Sequence, residues 1–231
     1  MGKNAVAVLT QSTVGQKVVM ATTGLIMVGW LALHMFGNLL VFVGKHEFDA
    51  YAEWIQSGFG ASPEFLWLMR VFMLAAIALH IRAAVALTAR NRAARPNRYA
   101  GGHQLRRTTY AARFMLLGGL VLLAFLAFHL AHLTLGVLHE PLHGQAFVRG
   151  QAYDNLMVGL GNPVVAAFYI VANLALGAHL WHGVTSGLQT LGVNHPRYDG
   201  LKAAAGIAVP GLIVGGNILI ALGVLLGVAA A

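Results

Sequence analysis

The chain of 231 residues is 58% hydrophobic and only 10% charged, far too apolar to cover the surface of a water-soluble domain of this size. It has no cysteine and eleven histidines, which excludes iron–sulfur clusters, zinc–thiolate sites and disulfides and leaves histidine as the strong metal ligand in quantity. The formal charge of +8 does not point to nucleic acid, because in a membrane protein the placement of Lys and Arg carries the meaning.

Residues 1–19 contain Lys3 and Lys17 among scattered polar residues and lack the apolar core and cleavage site of a signal peptide. Five apolar segments follow, near 20–43, 64–89, 113–136, 163–188 and 203–228. Each is long enough to cross about 30 Å of hydrocarbon at roughly 1.5 Å per residue. Loop punctuation separates them: Gly58, Gly60 and Pro63, then Pro96, Gly101 and Gly102, then Pro141 and Gly144, then Gly161 to Pro163, and finally Pro196 and Gly200. The expected fold is an all-α membrane protein, one transmembrane domain over residues 1–231.

All but three of the 15 Lys and Arg fall in the N-terminal tail, the second loop, the fourth loop or the helix ends beside them. They include the run Arg90, Arg92, Arg95, Arg98, Arg106, Arg107 and Arg113. The opposite side holds Lys45, Arg70 and Arg149 with six of the 7 acids. The positive-inside rule then puts the N-terminus in the cytoplasm and the C-terminus outside.

Each of the first four spans carries a histidine in its C-terminal half, and the fifth has none: His34 in LALHMFGN, His80 in IALHIRAA, His129 in AFHLAH and His179 in GAHLWHG. Because successive helices run in opposite directions, this common position becomes two depths. Counted from Lys17 and Arg113, His34 and His129 lie about 25 Å from the inner surface. Counted from Arg90 and Gln189, His80 and His179 lie about 15 Å from it. An imidazole in hydrocarbon needs a partner or a metal, and interhelical hydrogen bonding is the ordinary use of a single one. Four in depth-matched pairs on four helices of one bundle fit the axial positions of two six-coordinate haems instead.

His132 and His182 each follow a candidate ligand by three residues, near the same helix face, and remain alternatives to His129 and His179. Gly24 precedes His34 by ten residues as Gly119 precedes His129, a shared register that favours His129 over His132. His132 is then expected to meet a propionate, water or quinone. Glycines such as Gly24, Gly37, Gly118, Gly119, Gly177 and Gly183 allow either close helix packing or room for a porphyrin face. The loop histidines His46, His103, His139, His143 and His195 are expected to be solvated.

The block STVGQKVVMATTGLIMVGWLALHMFGNLLVF, the IALH of the second span, the FHLAH of the third and HLWHGVTSGLQTLGVNHPRY around the fourth resemble the cytochrome b558 family of succinate dehydrogenase and fumarate reductase membrane subunits. The resemblance covers nearly the whole chain. It implies a single-polypeptide anchor in a bacterial inner membrane, with two haem b. The axial ligands implied are His34 and His129 for the outer haem and His80 and His179 for the inner one. In the fourth span the family's step from its histidine to a glycine four residues on fits His179 and Gly183. A glutamate found two residues before the fourth-span ligand in some fumarate-reducing members is replaced by Gly177. No Asp or Glu lies in the central part of any span, which favours succinate oxidation over a coupled fumarate reductase.

The resemblance also implies a flavoprotein and an iron–sulfur protein docked on the cytoplasmic face, since the chain has neither machinery itself, and menaquinone as the electron acceptor. The basic second loop and Asn194–Tyr198 offer cytoplasmic surface for those subunits. A second haem is useful only if electrons travel outward, so a quinone site is expected near the outer haem, with His46, Glu53, Trp54, His132 and His139 as candidates. Ser12, Gln16 and Lys17 mark the rival, inner location. Two other readings compete: a cytochrome b subunit of a hydrogenase or formate dehydrogenase, and a haem-free transporter or assembly protein in which the histidines are polar glue.

Overall fold

The computed structural model describes residues 11–94 and 110–230; Lys3, Arg95, Pro96, Arg98, Gly101, Gly102, His103, Arg106 and Arg107 lie outside them. Among the described residues there are eight α-helices and no strand. They are α1 Thr13–Asn38, α2 Lys45–Gln56, α3 Pro63–Ala93, α4 Tyr110–His129, α5 His139–His143, α6 Ala152–Gly161, α7 Pro163–Thr190 and α8 Asp199–Leu225. Five are long and apolar enough to cross a membrane, and the chain is a multi-pass membrane protein. Their outward faces are largely apolar: Leu33, Leu74, Leu120, Val171 and Ile207 are all exposed, as suits side chains that meet lipid.

Local chemistry sets the helix starts. Ser12 caps α1 by accepting from the Gly15 amide at 2.9 Å, which starts the helix seven residues before the expected apolar run. Ser62 and Asn162 cap α3 and α7, each with proline at the first helical position, where a missing N–H costs nothing. In α8, Asp199 occupies the first turn and pairs with Lys202 at 2.9 Å, so that helix also begins before its apolar stretch.

Helix α1 packs against α3, α7 and α8; α4 packs against α7 and touches α3; and α7 lies along α8. Four helices therefore form a square with sides α1–α3, α3–α4, α4–α7 and α7–α1, and α8 closes the outside of the α7–α1 side. Across the diagonals, α1 to α4 and α3 to α7, the backbones make little or no contact. The interior is widest between the helices that carry the paired histidines.

The three short helices α2, α5 and α6 gather at one end, here the capped end, where α2 and α5 each contact α6. Sequence reading treats these stretches as loops, although Phe48, Tyr51, Ala52 and Ile55 repeat at the helical spacing in α2. Lys45 ties α2 to α6 through Asp154 and pairs with Asp49 at 3.0 Å. The Asp49 carboxylate also accepts from the Tyr153 amide at 2.8 Å. At the same end Val41, Phe48, Leu156, Leu160, Val165, Ile220 and Val224 form the main apolar core.

Candidate functional site

The square brings the four histidines together as two pairs. His34 and His129 meet edge to face with ring centroids 5.8 Å apart, and His80 and His179 meet at 6.4 Å. Each pair spans a diagonal, joining helices that hardly touch. His179, rather than His182, stands opposite His80.

The surroundings show which ring nitrogens are already engaged. The Nδ1–H of His80 donates to the Met20 carbonyl at 3.1 Å, so the lone pair of a neutral ring is on Nε2. The lone pair on Nε2 of His34 is engaged by the Asn38 side-chain amide at 3.1 Å, a contact that a metal on that nitrogen would displace. The Nδ1 of His179 is buried without a hydrogen-bond partner, a state that costs free energy unless a further group meets the ring.

Glycines of the opposite pair's helices cradle the rings. A Cβ at Gly24 would lie 3.3 Å from Cε1 of His80, and one at Gly119 would lie 3.7 Å from Cε1 of His179. The ten-residue step from Gly24 to His34, and from Gly119 to His129, therefore does not mark a common environment within one pair. It runs from the level of the lower pair, His80 and His179, to a member of the upper pair, His34 and His129, about 15 Å along each helix. Sequence reading saw the register but not this purpose.

Beyond His129, α4 widens into a π turn, Leu130–Thr134, closed by the bond from the Leu135 amide to the Leu130 carbonyl at 2.8 Å. The wider turn carries His132 off the face that His129 presents, and π turns occur often at functional sites. His132 is fully buried. Its Nδ1 lies 3.0 Å from the Tyr169 hydroxyl and its Nε2 lies 2.8 Å from Nε2 of His143. Both nitrogens are engaged, and neither faces His34.

His139 and His143 are not the solvated loop residues expected from sequence. His139 is 1% exposed, with Nδ1 at 3.0 Å from the Gln145 carbonyl and Nε2 at 3.1 Å from the Asn155 carbonyl. His143 is half-buried, its ring 5.0 Å from both His132 and His139. Helix α5 is too short to show a period, and only the tertiary fold places it over His132. Burial first, and the neighbouring His139 second, hold the His143 imidazole below the ordinary histidine range.

Of the residues expected near an outer quinone, His132 and His139 come together, whereas His46, Glu53 and Trp54 are exposed on α2. Of the rival set, Ser12 is the α1 cap, Gln16 is buried and Lys17 is exposed. His195 is exposed. A cleft of about 610 Å³ opens at the capped end between Leu135, Val137, Pro141 and Phe147, with Glu140 and Arg149 on its wall. Phe147 joins it to the histidine cluster by an edge contact with His139 at 5.7 Å. Tyr169 was not singled out from sequence, although a hydroxyl in an otherwise apolar stretch of span is itself a signal. Its oxygen lies 3.3 Å from His129 Nδ1 as well as 3.0 Å from His132 Nδ1.

In comparisons with known proteins, no family model, curated protein or solved structure matches this chain. The site has to be read from its own geometry.

Proposed function

We propose that the chain is a dihaem cytochrome b, the membrane anchor of a succinate:quinone oxidoreductase in a bacterial cytoplasmic membrane, with the capped end outside. The observation that carries this reading is the meeting of His34 with His129 and His80 with His179 across the two diagonals of one square. In each pair the two imidazoles face one another across the bundle interior, and together they would hold one haem iron. Among the described residues no three His, Cys, Asp or Glu side chains converge on a point where they could hold a bare ion. Each pair thus offers two imidazoles, the number that a six-coordinate, bis-histidine haem would take from protein.

A haem supplies reversible one-electron chemistry. The protein supplies the rest. His34, His80, His129 and His179 would hold the irons, the Met20 carbonyl orients His80, and Gly24 and Gly119 keep the lower rings uncrowded. The apolar bundle keeps water away.

The charges favour the orientation. Arg90, Arg92, Arg197 and Lys202 mark the uncapped end, whereas Glu47, Asp49, Glu53, Glu64, Glu140 and Asp154 lie at the capped end. The uncapped end is then the cytoplasmic one, where a flavoprotein and an iron–sulfur protein dock and deliver electrons from succinate. Menaquinone takes them near the capped end, in the cleft beside Phe147, Glu140 and Arg149. Purification from the native membrane tests the reading. Two haem b per chain, reducible by succinate together with two hydrophilic partner subunits, is the expected result; a colourless chain overturns it.

A further inference from the structure

The histidines of the capped end form a hydrogen-bonded chain that axial ligation alone does not use. From the bundle outward, His129 Nδ1 lies 3.3 Å from the Tyr169 hydroxyl, that oxygen lies 3.0 Å from His132 Nδ1, and His132 Nε2 lies 2.8 Å from His143 Nε2. A neutral imidazole bears its hydrogen on one nitrogen only, and a tyrosine hydroxyl has one hydrogen to give. All three bonds therefore form with the tyrosine hydrogen also in use only when every hydrogen points the same way.

Two such polarities exist. In the first, His143 donates from Nε2 to His132, His132 donates from Nδ1 to Tyr169, and Tyr169 donates to Nδ1 of His129. In the second every bond is reversed, and the hydrogen of His143 sits on its Nδ1. A metal on Nε2 of His129 removes the choice. The hydrogen of that ring must then sit on Nδ1, which can only donate.

We propose that Tyr169, His132 and His143 are a positioning relay through which haem ligation at His129 and protonation of His143 at the capped surface oppose one another. The proposal rests on the reading of His129 as an axial ligand through Nε2. Its physical cause is a conflict of hydrogens. Protonated His143 carries a hydrogen on each nitrogen, and in the ligated polarity its Nε2–H would confront the Nε2–H of His132 across 2.8 Å. Relief requires breaking that contact, reversing the chain against His129, or turning His132 over so that Tyr169 accepts from both rings and its own buried hydrogen is left without a partner. By linkage the opposition is mutual: a proton on His143 weakens ligation as much as ligation weakens proton binding.

The groups around the chain leave this link isolated. His143 faces His132 and His139. His132 faces Phe128, Tyr169, His139 and the bare backbone of Gly159, where a Cβ would come within 3.0 Å of its ring. On α6, Asp154 pairs with Lys45. Both nitrogens of His139 are occupied by carbonyls. His143 is the partly exposed member through which a proton from solvent enters.

The test measures haem loss from the full chain as a function of pH, with haem content by pyridine haemochrome on the same samples and the ring hydrogens of His143 by nitrogen NMR on ¹⁵N-histidine protein. In the wild type, loss from the His34–His129 site should accelerate by up to tenfold per pH unit below the titration of His143, and the loaded protein should show the His143 hydrogen on Nδ1. His143→Gln, which cannot be protonated, should hold haem with no pH dependence in that window. Tyr169→Phe should lose the pH dependence too, while its haem affinity falls roughly 10–100-fold with the lost partner of His129. A His143→Gln variant that sheds haem with the wild-type pH profile overturns the relay while leaving the ligands in place. Wild-type protein that binds no haem at any pH overturns the ligand reading, and the relay with it.

Discussion

His34 and His129 face each other with centroids 5.8 Å apart although α1 and α4 lie on a diagonal of the bundle. Helices in direct contact would bring a histidine against a neighbouring backbone; helices held apart leave the rings facing into shared space. His34→Ala or His129→Ala should therefore remove one haem per chain and spare the other. His132→Ala should retain both, since its nitrogens serve Tyr169 and His143. Pyridine haemochrome and low-temperature spectra of the three variants check this; loss of a haem in His132→Ala with retention in His129→Ala would reverse the roles.

The same logic applied to the lower pair gives a prediction about glycine. At Gly24 a Cβ meets the His80 ring at 3.3 Å, whereas a Cβ at Gly183 meets nothing within 4 Å. Gly24→Leu should expel the haem of the lower pair and leave that of the upper pair, and Gly183→Leu should bind both. Equal haem content in the two variants would show that Gly24 is ordinary packing.

Asn155 pins the capped end. Its side chain accepts from the Val148 amide at 3.0 Å and donates to the Val148 carbonyl at 2.7 Å. Asn155→Leu strands two backbone groups in a region where Asn155 is itself buried. The expected cost is about 1–3 kcal/mol, localised to the segment between α5 and α6. Hydrogen exchange of the Val148 amide should quicken accordingly while α7 amides stay protected.

The depressed His143 fixes a sign for pH. Because its folded-state proton affinity lies below that of the unfolded chain, the stability it contributes is present above the ordinary histidine pKa, about 6.5. That stability is lost as pH falls through the lower folded value. The capped end should therefore loosen on acidification before the spans do, and His143→Gln should remove this response. Amide exchange across residues 136–150 between pH 7 and 5 is the measurement; an unchanged acid response in the variant would place the cause elsewhere.

Direction of electron flow has its own test. Gly24 and Gly119 lie beside the lower pair and ten residues before His34 and His129, so the two levels stand about 15 Å apart along α1 and α4 rather than the roughly 10 Å counted from the basic residues, and on the proposed function quinone reduction at the capped end depends on the upper pair. In the assembled complex, His34→Ala should abolish succinate-driven menaquinone reduction and leave dye reduction at the hydrophilic subunits intact. Wild-type menaquinone reduction in a variant shown to lack the upper haem would move the quinone site to the region of Ser12, Gln16 and Lys17.

Five spans, the stretches between them and a histidine in the C-terminal half of each of the first four were legible in the sequence because they depend on quantities local to one helix. Those quantities are the hydropathy of a twenty-residue window and a fixed rise per residue. The rise alone matched His34 with His129 and His80 with His179 in depth. It could not show that the matched helices are diagonal, because helix order around a bundle is set by side-chain packing between segments distant in sequence. Nor could it show that the π turn after His129 sends His132 toward Tyr169 and His143, or that Gly24 serves His80 on another helix. The burial of His139 and His143 was hidden for the same reason: α5 has no apolar run of its own, and its histidines are covered only because α6, held to α2 by Lys45 and Asp154, closes against it.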